Sequence, residues 1–166
     1  MYATWFVFSE DDTKYLSNLI QELSKKYHSQ IFKPHITAYG LVDISLEKLD
    51  KIVSDSVVGQ KQISLKKSKL DYSDVFWKTL FVEFLPDESL NRINNELTKS
   101  LESFAKYEFI PHASLIYQKM NQDEQKRLAN TLDIQENFEI IGMCIQEFSE
   151  DITKWKIVRQ YFFDEN

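Results

Sequence analysis

One cysteine, Cys144, occurs in the 166 residues. No internal disulfide can form, and a reducing, cytoplasmic setting is expected. Glycine and proline number three each, too few for a collagen-like or low-complexity chain, and no Gly/Ser/Pro-rich linker divides it. No glycine-rich phosphate loop is present, which argues against an ATP-dependent kinase or ligase. No apolar run approaches membrane-spanning length, so no membrane partner is expected. The opening MYATWFVFSEDD has no basic segment ahead of its short apolar stretch, unlike a secretory leader. Histidine is also sparse. The three histidines lie in neither His-Glu-x-x-His nor paired-cysteine spacing, so no metal and no cofactor are expected. Positive charge is in deficit too. A formal net charge of −6 gives no broad basic track, making long nucleic acid an unlikely partner while leaving room for a small anionic ligand.

Hydrophobic residues, at 43% with 14% aromatic, are enough to bury a sizeable core in one domain. The hydrophobic periodicity alternates between strand and helix. YATWFVF reads as a buried strand. A helix follows from an acidic start, with Leu16, Leu19, Ile20, Leu23 and Tyr27 on one stripe. PHITAYGLV returns to strand. DISLEKLDKIVSDSVVG is a second helix, and the lysine-rich QISLKKSKLDY an exposed or edge strand. The order then repeats. TLFVEFL is a strand, Pro86 and Asp87 head a helix bearing Leu90, Ile93, Leu97, Leu101 and Phe104, and PHASLIY is a strand. Asn121 and Glu124 suit a capping box on a short helix. NFEIIGMCIQEFS and TKWKIVRQYFF form a closing strand pair. The reading is α+β: a single bilobal domain over 1–166, built from a duplicated module with halves near 1–74 and 75–166, antiparallel sheets flanking a central cleft and helices outside. A monomer is expected.

Each half carries one histidine in its second strand. FKPHITAYG and FIPHASLIY share a proline before the histidine and a hydroxyl two residues after it, and His35 and His112 lie 77 positions apart (35 to 112). Side chains two apart on a strand share a face, so His35 projects with Thr37 and His112 with Ser114. If the halves pack about a pseudo-twofold axis, two imidazoles and two hydroxyls meet. One imidazole can take a proton from water and the other give one to a leaving oxygen, while the hydroxyls hydrogen-bond non-bridging phosphate oxygens. His28, at a helix end, reads as a solvated cap residue.

With these motifs the chain resembles the two-histidine (2H) phosphoesterase superfamily, and within it the cyclic phosphodiesterases. That resemblance implies a bilobal fold and metal-independent opening of a small substrate, a 2′,3′-cyclic nucleotide or ADP-ribose 1″,2″-cyclic phosphate, to a monoester. It makes His35 and His112 the acid–base pair and Thr37 and Ser114 the phosphate-binding hydroxyls. Family analogy gives His112 the water and His35 the leaving group. It also places a substrate-binding tyrosine at Tyr117, although strand parity turns Tyr117 away from Ser114 unless the strand ends or bulges. Tyr39 has the parity of His35 and Thr37 and is the rival. Trp77 is a candidate base-stacking residue at the groove rim. Lys33 could lend charge to the first motif only, since Ile110 replaces it in the second. Two other readings use the same motifs: an RNA-end-processing or 2′-5′ phosphodiesterase, and a non-catalytic nucleotide- or RNA-binding module.

Overall fold

A computed structural model describes residues 1–166. The first half runs β1 (Tyr2–Phe8), α1 (Glu10–Tyr27), β2 (Ile36–Val42), α2 (Leu46–Ser56) and β3 (Ile63–Tyr72). The second runs β4 (Leu80–Phe84), α3 (Glu88–Leu101), β5 (His112–Ile116), α4 (Gln122–Thr131) and β6 (Asn137–Glu147), followed by β7 (Lys156–Phe162). Short 3-10 turns at Phe76–Lys78 and Ile152–Lys154 precede β4 and β7.

All seven strands join one antiparallel sheet in the order β2-β1-β6-β3-β4-β5, with β7 beside β6. Under the repeat, β1, β2 and β3 correspond to β4, β5 and β6, so the order reads the same from either end. Each half passes its third strand across the middle. β6 pairs with β1 along Tyr2–Phe8, and β3 pairs with β4. The lysine-rich β3 has the outward-facing residues its composition suggests. It is not a free edge, because Ile63–Lys66 pair with β6 and Lys67–Tyr72 with β4. Lys67 and Lys69 find Glu136 and Asp71 as ion-pair partners.

Helix starts follow local chemistry. Ser9, Ser45, Asp87 and Asn121 each accept a backbone N–H from the first turn through a side-chain oxygen. The Asn121 cap forms, but Glu124 does not reach back to complete a box. Its carboxylate accepts from the Tyr27 hydroxyl at 2.6 Å and from Arg127 instead. His28 closes α1 with φ 57° and is exposed, as a C-terminal cap should be. The apolar stripes of α1 and α3 are buried at Leu16, Ile20, Leu23, Leu90, Ile93, Leu97 and Leu101. Phe104 does not continue the stripe: α3 ends at Leu101, and Phe104 is 45% exposed under the Lys48 ammonium. One core of 32 buried residues draws on both halves. No helix is long and apolar enough to cross a membrane.

Candidate active site

β2 and β5 hold equivalent places at the two ends of the sheet order, and their motifs meet in a cleft of about 330 Å³. His35, Thr37, His112 and Ser114 all line it. The imidazoles are held the same way. His35 Nδ1 lies 2.7 Å from the Lys33 carbonyl, and His112 Nδ1 lies 2.7 Å from the Ile110 carbonyl. A carbonyl only accepts, so each Nδ1 carries the proton of the neutral ring and Nε2 is left as the nitrogen available to the cleft. The residue two before each histidine thus fixes the tautomer through its backbone, which is why Lys33 and Ile110 can differ. The intervening prolines, Pro34 and Pro111, hold the chain extended into the strand.

The two rings differ in surroundings. The Trp5 indole stacks on His35 with centroids 3.6 Å apart and planes 10° from parallel. His35 is 8% exposed. Burial drives its pKa down from the usual 6.5 to about 4; the Lys33 carbonyl partly opposes this, and the His112 and Lys33 charges add to it. His112 is half-buried, with Phe81 packed edge-on at 5.4 Å. Its pKa is also lowered, first by burial, with the Ile110 carbonyl opposing; Lys78 lowers it further and Glu83 raises it. Trp5 opposes Thr37 and Phe81 opposes Ser114 in the strand registers, so one aromatic per half backs each motif.

The hydroxyls differ as well. Ser114 Oγ donates to the Trp77 carbonyl at 2.7 Å. Thr37 Oγ1 makes no hydrogen bond to a protein group, while the Thr37 carbonyl accepts from the Tyr107 hydroxyl at 3.3 Å.

A β-bulge in each motif strand decides between the tyrosines. Trp5 pairs with Thr37 and Thr4 with Tyr39, so two residues of β2 pass against one of β1. Phase is lost, and Tyr39, expected on the face of Thr37, turns into the core. It is 1% exposed and donates to the Ala105 carbonyl at 2.6 Å. In β5, Phe81 pairs with Ser114 and Leu80 with Ile116, again two residues against one. The same phase change brings Tyr117 onto the cleft side. Tyr117 lines the cleft but is only 4% exposed, because Phe32 of the first motif stacks on it at 3.7 Å. Gly40 holds the place equivalent to Tyr117. A Cβ there would lie 2.9 Å from the Tyr107 ring, so glycine lets that ring close the first half of the cleft.

Trp77 lines the rim as expected, 42% exposed, with its ring 5.9 Å from Trp155 and 5.1 Å from Tyr117. Sequence reasoning missed Trp5, Trp155, Tyr107, Gln146 and Lys78, all of which face the cleft. Only the three tryptophans carried a usable signal: all three in the chain converge here and line one cleft with aromatic surface. Cys144 is buried behind Trp5, its register partner, and burial raises its thiol pKa to about 12. Nowhere do three His, Cys, Asp or Glu side chains come together in a way that could hold a metal ion.

Proteins of known structure share this architecture. E. coli LigT, crystallised with 3′-AMP, superposes with a TM-score of 0.63 over 98% of this chain and 96% of its own, at 12% identity. TT0787 of Thermus thermophilus gives 0.67 over 98% and 97%, at 10% identity. In sequence, a cyclic phosphodiesterase of Arabidopsis thaliana is 18% identical over 136 residues, which cover 80% of this chain and 75% of that protein. Residues 1–161 match the family described as Cyclic phosphodiesterase-like protein. With paired histidine strands in a duplicated fold and a family match over nearly its whole length, the chain belongs to the cyclic phosphodiesterase-like proteins of the two-histidine phosphoesterases.

Proposed function

We propose that this protein is a phosphodiesterase that hydrolyses a small cyclic phosphate, a 2′,3′-cyclic nucleotide or ADP-ribose 1″,2″-cyclic phosphate, to a phosphomonoester, using its two imidazoles and no metal. The observation that carries this is the matched pair of histidines, each with Nδ1 held at 2.7 Å by a backbone carbonyl and both lining one cleft. One Nε2 accepts a proton from water as its oxygen bonds to phosphorus. The phosphorus–oxygen bond to the ribose breaks, and the other imidazole protonates the departing oxygen. The base ends protonated and the acid neutral, so a proton exchanged through solvent resets the pair. Thr37, with no protein partner for its hydroxyl, can donate to a non-bridging oxygen directly, and Ser114 can do so once it turns from the Trp77 carbonyl.

When the pair holds one proton, His112 is the easier of the two to charge, since His35 is buried against Trp5 and driven down to about 4 while His112 is only half-buried. On electrostatics His112 is therefore the acid and His35 the base, the reverse of the order suggested by family analogy. The tryptophan-lined rim, with Trp77 exposed beside Trp155, suits a nucleobase, and LigT of the same fold is known in complex with 3′-AMP. The test is an assay of chelator-treated protein on both cyclic phosphates, with identification of the product isomer. Turnover should survive the chelator and be lost in His35→Ala and in His112→Ala, each still folded by circular dichroism. Wild-type turnover in either variant would overturn the assignment.

A further inference from the structure

Lys78 is the only permanently charged side chain lining the cleft, and no carboxylate lines it. The lysine makes no ion pair. Its Nζ lies 4.5 Å from the centre of the Phe81 ring, which packs against the His112 ring with planes 70° apart. Phe81 is the strand partner of Ser114, and Lys78 directly follows Trp77, whose carbonyl holds the Ser114 hydroxyl. The ammonium is thus held on the His112–Ser114 side. The first half offers no counterpart inside the cleft, because Lys33 faces a neighbouring pocket beyond Trp5 and Trp155.

We infer that Lys78 is a further catalytic residue, whose ammonium contacts a non-bridging oxygen of the substrate phosphate and stabilises the charge that grows there as water adds. This rests on the proposed function of the same cleft. The charge balance supports it. A cyclic phosphodiester is a monoanion, no carboxylate lines the cleft to compete for the ammonium, and the proton on the acid imidazole is spent on the leaving oxygen, so Lys78 is the cation left to face the phosphoryl oxygens. Water addition puts further negative charge on the phosphoryl oxygens, and a fixed cation at the non-bridging oxygen stabilises that state more than the ground state. Phe81 underlies the ammonium and limits its solvation, which strengthens the contact.

A catalytic Lys78 has a kinetic signature. The charged and titratable groups acting on His112 are Lys78 from the 3-10 turn, Glu83 from β4 and His35 from β2. Removing the lysine charge favours protonated His112, so the His112-controlled limb of the kcat/KM profile moves to higher pH. Lys78→Met keeps the apolar stem on Phe81 and should fold with unchanged Tm. Its kcat/KM on a 2′,3′-cyclic nucleotide should fall roughly 10²-fold, with the pH shift, and Lys78→Arg should restore most of the rate. Unchanged kcat/KM in Lys78→Met, or a fall without any pH shift, overturns the inference while leaving the two-histidine reading intact. Titration of the His112 NMR signals with inorganic phosphate reads the contact without turnover. Weaker phosphate binding in Lys78→Met supports it, and equal affinity overturns it. Absence of turnover in the wild type would instead remove the proposed function and leave the phosphate titration to decide on Lys78.

Discussion

Acid should destabilise this protein through His35, by an amount the site geometry predicts. In the unfolded chain His35 titrates near its usual 6.5, whereas under Trp5 it titrates at about 4. The native state therefore binds its proton more weakly, and stability falls as pH drops below 6.5. The full loss, reached below pH 4, is about 3 kcal/mol at roughly 1.4 kcal/mol per pKa unit. Between pH 7 and pH 5, where the rest of the fold is least disturbed, the same linkage gives about 2 kcal/mol. His35→Gln has no titrating group and abolishes this slope, whatever its own stability at pH 7. Urea melts of both proteins at closely spaced pH values measure it. With an m-value of about 2 kcal/mol/M, the wild-type midpoint should lose about 1 M more than the variant over this interval. Carboxylates and His112 titrate in both proteins and cancel in the difference. Parallel midpoint curves, or a His35 ring signal titrating near 6.5 by NMR, would refute the reasoning.

Both cleft histidines should titrate below 6.5, with His35 the lower, and two-dimensional NMR of the ring protons gives the order directly. Replacing the stacked indole in Trp5→Leu rehydrates one face of His35, so its pKa should climb towards 6.5 as the pH–rate profile shifts with it. Tyr39→Phe leaves the Ala105 carbonyl without its donor and should cost about 1–2 kcal/mol in a urea melt, with kcat/KM unchanged. Tyr117→Ala takes away the ring that Phe32 stacks on, and should lower both stability and turnover.

Much of this protein could be read from residue order alone. Alternating apolar periodicities gave every strand and helix their type, because burial of one face at period 2 or 3.6 is a local property of the chain. Capping residues such as Asp87 and Asn121 act within one turn of themselves, so they too were legible, while the first helix, expected to start on an acidic residue, is capped by Ser9. The repeated proline, histidine and hydroxyl identified the two motifs, and strand parity over two residues put each hydroxyl beside its histidine. Parity failed beyond that, two residues on at Tyr39 and three on at Tyr117. A bulge arises from pairing with another strand, β1 or β4, and no residue within PHITAYG or PHASLIY announces it. That shift in pairing sent Tyr39 into the core and Tyr117 to the cleft. The exchange of β3 and β6 between the halves, the Trp5 ring over His35, and the isolation of Lys78 as the one fixed charge in the cleft all depend on segments distant in the chain. The sequence determined that two matched histidine motifs would occupy equivalent strands; packing across the sheet brought them to one cleft and decided how differently each would hold a proton.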